Sequence, residues 1–109
     1  MIDIDIYKKN HRYAIRATGH AMYAVHGKDI VCAAVSTLIQ AYAFYLRDKQ
    51  DGIKILEIKL DSGDLNVEYL DHNDIYITNF EMIVAGLDAI KESYHGYLKI
   101  NKMLENENL

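Results

Sequence analysis

The chain is expected to fold as an α+β sandwich in the order ββαββα, with two helices packed on a small antiparallel or mixed sheet. Three observations predict it. Four short segments alternate apolar and polar residues with the period of two that a half-buried strand requires. Two longer segments repeat apolar residues every three or four positions, as helices do. Each helical segment follows a pair of strands, so the chain reads as two hairpins, each followed by a helix.

Ile2, Ile4 and Ile6 alternate with Asp3 and Asp5 in the first strand. Lys8-Lys9-Asn10-His11 is a turn, and Tyr13, Ile15 and Ala17 alternate with Ala14 and Arg16 in a second strand ending at Gly19. Ala21 to Lys28 shows neither period and is a loop. From Ile30 to about Leu46 the pattern is helical, with Val31, Val35, Leu38, Tyr42 and Tyr45 along one stripe. Ile30, Ala34, Ala41 and Leu46 widen the apolar surface. A helix apolar around most of its circumference is buried on more than one side, here the sheet and a second subunit. The surface around Ala41, Tyr42 and Leu46 is the one expected to meet that partner.

Asp51-Gly52 ends this helix. Leu56, Ile58 and Leu60 alternate with Glu57 and Lys59, and Leu65, Val67 and Tyr69 with Asn66 and Glu68. Asp61-Ser62-Gly63-Asp64 between them has the chemistry of a hairpin turn. After a polar break at Asp71 to Asp74, the residues Phe80, Ile83, Leu87, Ile90 and Tyr94 follow the spacing of an amphipathic helix, with Gly96 as its C′ residue. Tyr97 to Lys102 is a candidate short edge strand. These 109 residues are enough for one modest core, so 1–104 is read as a single domain and 105–109 as a polar tail.

Half the residues are hydrophobic, and the net charge of −4 argues against holding nucleic acid by general electrostatics. No apolar run is expected to approach the ~20 residues of a bilayer span, and Ile alternating with Asp at the N-terminus is not a signal peptide. One cysteine makes no intramolecular disulfide, which suits a reducing cytoplasm. Nine tyrosines against two phenylalanines supply apolar rings with a polar tip, for core edges or a groove.

That cysteine, Cys32, falls where the first helix begins. Asp29 stands at the N-cap, with its carboxylate in reach of the N–H of Val31 or Cys32. Peptide dipoles at a helix N-terminus favour a negatively charged sulfur, although the charge of Asp29 opposes this. His20, just after the second strand, is the better base, and His26 in the same loop is its competitor. Ser36 lies one turn beyond Cys32 on the same helix face. Residue type alone leaves alternatives open. A lone Cys in an Ala- and Val-rich helix also fits an inert core position, Asp29 a plain cap, Ser36 a packing residue, and Gly19 and Gly27 simple turns. The spacing of His20, His26 and Cys32 matches no compact metal-ligand motif.

The run Gly19-His20-Ala21-x-Tyr23-Ala24 followed by Gly27-x-Asp29-Ile30-Val31-Cys32-Ala33-Ala34-Val35-Ser36 resembles the signature of the ribosomal-processing cysteine protease family, Prp. Gly86-Leu87-x-x-Ile90 and Tyr94 continue the likeness more loosely, so that it spans nearly the whole chain. Where that family runs into a Tyr-Pro pair, Tyr94 is here followed by His95. The resemblance implies a nucleophile at Cys32, its histidine at His20, and supporting roles for Asp29, Ser36, Gly19, Gly27 and Tyr23. It further implies a homodimer that removes a short N-terminal extension from a large-subunit ribosomal protein, after an aromatic-aromatic-Ala run. Phage relatives, acting on capsid or scaffold proteins, are the alternative substrate class.

The expected protein is therefore a cytoplasmic thiol endopeptidase with no cofactor, metal, membrane or nucleic-acid partner. N–H groups at the start of the Cys32 helix are the expected oxyanion hole, and the loop Ala21 to Lys28 is the expected mobile lid. A non-catalytic peptide-binding module of the same fold is the competing class. A redox protein is disfavoured for want of a resolving cysteine.

Overall fold

The computed structural model describes residues 1–49 and 51–105. Strand β1 (Ile2–Lys9) turns back into β2 (Arg12–Thr18) through Asn10 and His11 alone. Both have positive φ, 53° and 65°, as a two-residue hairpin turn demands, so Lys8 and Lys9 belong to the strand rather than to the expected four-residue turn. Helix α1 (Ile30–Lys49) follows, then β3 (Lys54–Asp61) and β4 (Asp64–Leu70), joined through Ser62-Gly63. Helix α2 (Ile77–Ser93) leads into β5 (Leu98–Leu104). The expected edge strand is thus present, as a seventh element.

The five strands form one mixed sheet in the order β3-β4-β2-β1-β5, in which only β1 and β5 run parallel. Alternation decides its faces. Ile2, Ile4, Ile6, Tyr13, Ile15, Ala17, Leu65, Val67, Tyr69 and Leu98 are buried toward the helices. The opposite face carries Asp3, Asp5, Arg12 and Arg16 in solvent, with ion pairs Arg12–Glu68, Arg16–Asp64 and Lys59–Asp64 across the strands. Each fully buried Ile or Leu contributes roughly 1.5–3 kcal/mol, which is what holds the register.

The seam of α1 differs from the expected stripe. Its buried residues are Val31, Val35, Ile39, Tyr42, Ala43 and Leu46. Leu38 is half-buried, and Tyr45 is 40% exposed, its ring edge-on to Tyr76. With apolar residues all round this helix, the pattern permits two seams, and the sheet selects the one with more four-residue steps. Tyr42 and Leu46 therefore lie inside this chain's own core and offer nothing to a second subunit; Ala41, Phe44 and Tyr45 remain exposed. By length and composition α1 is also apolar enough to cross a membrane, contrary to the expectation that no run comes close. Its buried residues pack on the sheet as a core helix does.

Three smaller differences have local causes. A bulge between Ile55 and Glu57 throws Leu56 outward to 42% exposure and leaves Ile55 half-buried in its stead. Gly96 lies one place beyond C′, because α2 is capped by Tyr94. Within the expected polar break, Asp71 is fully buried and accepts the N–H groups of Ile75 (2.9 Å) and Tyr76 (2.8 Å) ahead of α2. Of the expected tail, Glu105 donates its N–H to the Lys8 carbonyl at 2.8 Å, and 106–109 lie outside the described residues.

Candidate active site

A groove of about 520 Å³ opens where the end of β2, the following loop, the first turns of α1 and the β3–β4 turn converge. Gly19, His20, His26, Gly27, Asp29, Cys32 and Ser36 all line it. The fold thus brings together six of the seven residues singled out in the sequence, together with the competing His26. Tyr23 is the exception. Its ring turns aside to meet Tyr94 and Tyr97 edge-on, with centroids 5.5 and 5.1 Å away, and so anchors the loop to the α2–β5 connection.

Asp29 organises the loop and the helix at once. One carboxylate oxygen accepts the N–H groups of Val31 and Cys32, each at 3.0 Å, which caps α1. The other accepts those of Tyr23 (2.9 Å) and Ala24 (3.3 Å), which closes the loop back onto the helix. Partial burial opposes ionisation of this carboxyl, but the four N–H groups outweigh it and hold the group below the usual carboxylate range. Asp29 is therefore both a cap and the tie of the loop, and none of its recorded hydrogen bonds goes to His20.

The half-buried Cys32 sulfur accepts the N–H of Ala21 at 3.2 Å. Ala21 is itself only 2% exposed, so the loop enters the core one residue after His20 and leaves it again at Met22, whose φ is 61°. No hydrogen bond among the described residues joins His20 to Cys32; pairs that transfer protons often tighten only around a substrate. The helix-start N–H groups expected to form the oxyanion hole are already engaged. Val31 and Cys32 donate to the Asp29 side chain, and Ala33 donates to the Asp29 carbonyl at 3.0 Å. The N–H held at the sulfur is that of Ala21 instead, a donor with no signal in the local sequence.

Ser62, Gly63 and Leu65, none of them a candidate by sequence, form one wall of the groove. Their turn chemistry was legible, but nothing local to them signals that the turn faces His20. Met22 and Val25, 77% and 70% exposed, add apolar surface at the rim. Among the described residues no three His, Cys, Asp or Glu side chains gather as a metal ion would need.

A thiol and an imidazole on the walls of one groove, with the thiol at a capped helix start, define a cysteine hydrolase of α+β architecture. The chain belongs to the cysteine protease Prp family, whose sequence profile matches residues 1–99. A protein of Mycoplasma genitalium named Ribosomal processing cysteine protease Prp is 37% identical over 87 residues, which cover 79% of this chain and 84% of that one. Its namesake in Mycoplasma pneumoniae is 26% identical over 95 residues, 87% of this chain and 92% of that one. The fold is shared with the ribosomal processing protease Prp of S. aureus solved with a covalently linked product peptide, at TM-score 0.77 and 21% identity over 94% of this chain and 100% of that one. The same S. aureus protease with a substrate peptide superposes at TM-score 0.73 and 21% identity, with the same coverage.

Proposed function

We propose that this protein is a cytoplasmic endopeptidase that removes an N-terminal extension from a large-subunit ribosomal protein. The observation that carries this reading is the convergence of Cys32 and His20 on one peptide-sized groove in a chain of the Prp family. Relatives of this chain are named for ribosomal processing, and the S. aureus protease of the same fold was solved with peptides. A single cysteine, free of any disulfide, suits a reducing compartment.

In the proposed reaction the Cys32 sulfur attacks the scissile carbonyl carbon while His20 takes the thiol proton. The tetrahedral oxyanion accepts the Ala21 N–H, the donor already held at the sulfur. Collapse breaks the C–N bond, His20 returns the proton to the leaving amine, and water hydrolyses the remaining thioester. Asp29 keeps the loop and the helix start in register throughout. The homodimer implied by the family resemblance would use the exposed Phe44 and Tyr45 side of α1 rather than Tyr42 and Leu46.

Incubation with an intact large-subunit ribosomal protein, followed by mass spectrometry of its N-terminus, tests this reading. We expect one cut for the natural chain and none for Cys32→Ala, a loss of roughly 10⁴-fold or more. Undiminished cutting by folded Cys32→Ala would refute the thiol mechanism. An inert wild-type protein whose Cys32 alkylates no faster than a free thiol would leave the peptide-binding module standing.

A further inference from the structure

We infer that Gly63, at the tip of the β3–β4 hairpin, is the positioning residue that seats the His20 imidazole in the groove. The inference rests on His20 being the base, as proposed above. A methyl group at position 63 would come 2.7 Å from His20 Nε2 and 3.1 Å from Cε1. Both distances are inside van der Waals contact, so the imidazole lies directly against the bare α-carbon of Gly63. The Gly63 carbonyl also accepts the N–H of Gly19 at 2.9 Å, one residue before His20. Backbone and ring of the base are thus referenced to one residue, on a hairpin remote from it in sequence.

The surroundings leave the ring as the soft coordinate. Gly63 has φ +75°, and Asp61 pairs with Asp64 on either side of the turn. Gly19 has φ +92°, and a Cβ there would stand 2.7 Å from the Met1 carbonyl oxygen, so the end of β2 is wedged against backbone. A side chain at position 63 is therefore accommodated by swinging the His20 ring about its χ angles, which moves Nε2. A displacement near 1 Å of a reacting group costs on the order of 10²-fold in rate. The residue acts through His20.

The test compares wild type, Gly63→Ala, Gly63→Asn, His20→Ala, the His20→Ala/Gly63→Ala double variant and Gly96→Ala. Gly96 has φ +94° and nothing within 4 Å of an added Cβ, so Gly96→Ala carries the backbone strain without the collision. Asn accepts positive φ more readily than Ala, so Gly63→Asn serves if Gly63→Ala folds poorly. Two readouts are followed beside thermal melting: kcat and KM on a substrate peptide, and the pH profile of Cys32 alkylation by iodoacetamide. We expect the Gly63 variants to lose roughly 10²-fold in kcat with little change in KM, and to move the alkylation profile in the direction that His20→Ala moves it. In the double variant the Gly63 change should add nothing, and Gly96→Ala should leave both readouts in place. Folded Gly63 variants with wild-type kcat and profile, beside a shifted His20→Ala, would overturn the role of Gly63 and spare that of His20. An equal loss from Gly63→Ala with and without His20 would overturn it too. A His20→Ala protein with wild-type turnover and profile would remove the base assignment itself, and the inference with it.

Discussion

At one end of the sheet Cys32, His20 and His26 line an open groove; at the other, Tyr13 donates to Asp74, Asp74 pairs with His11, and the Tyr42 and Tyr69 hydroxyls bond beneath them. Both ends are rich in groups able to move protons, but their surroundings differ. Tyr13 stacks on Tyr69 at 5.2 Å and meets Phe80 edge-on at 5.1 Å, and the hydroxyls are taken up by their partners. Burial first, and then Asp74, push the Tyr13 hydroxyl far above its usual range, and burial does the same to Tyr42 beside Tyr69. Asp74 is held below its range by the Tyr13 hydroxyl, against a smaller opposing effect of burial. At that end the tyrosine hydroxyls are engaged with one another and with Asp74, while His11 and Asp74 stay partly in solvent; the groove instead sets its thiol and imidazoles on the walls of a cavity. Polar residues alone do not mark an active site; a groove that a peptide can enter does.

The widest separation of the two ends should come from exchanging their key residues. His20→Ala should abolish most turnover with little loss of stability, since nucleophile and base act as a unit. Asp71→Ala should do the reverse, because it removes a fully buried carboxylate and orphans the N–H groups of Ile75 and of buried Tyr76. We expect a loss on the order of 3 kcal/mol in urea unfolding, with kcat unchanged at temperatures where the variant is folded. A comparable drop in kcat for Asp71→Ala would break the distinction.

Tyr69→Phe asks for less. It leaves the Tyr42 hydroxyl buried without its partner, at a cost of about 1–2 kcal/mol, and peptide cleavage should be untouched. Chemical denaturation beside a kcat measurement decides this, and any loss of turnover would couple the tyrosine end to the groove.

The smallest effect concerns Asp29 and acid. Its carboxyl titrates lower in the fold than in the unfolded chain, because four N–H groups outweigh the opposing effect of partial burial. Such a group contributes stability that is complete above its unfolded value, near about 3.9, and is lost as the pH falls through the folded one. Acidification should therefore release the loop at Tyr23 and Ala24. Hydrogen-exchange protection of those two amides should fall toward acid in wild type, and start lower and change less in Asp29→Asn. Asp64 and Asp74 are also depressed, so global acid unfolding persists in the variant, and the local amides carry the answer. Identical protection in the two proteins would show that the loop is tied by Tyr23 packing alone.

Much of this was legible in one dimension. β1 and β2 alternate cleanly because one face of the sheet is dry and the other is in water, and β4 keeps the pattern in residue type although Asn66 is buried beside Glu57. Asp29 was legible as a cap because capping is a contact over two or three residues. Leu56, Leu38 and Tyr45 were misplaced because a bulge and an all-round apolar helix leave local pattern with two equal solutions. The second duty of Asp29, the engagement of the helix-start N–H groups and the turning aside of Tyr23 depend on how a loop without periodicity folds back.

The sequence by itself determined which segments are strands or helices, where the thiol lies on its helix, and which histidines could serve it, since these follow from periodicity and from contacts within a few residues. Only the tertiary structure decided the seam of α1, the pairing of β5 with β1, and the meeting of Gly63 with His20 in the groove that Cys32 lines. The physical reason is range: a hydrogen bond or an apolar stripe between near neighbours is written in spacing, whereas a contact across the sheet exists only once burial of the shared core has fixed how the elements stack.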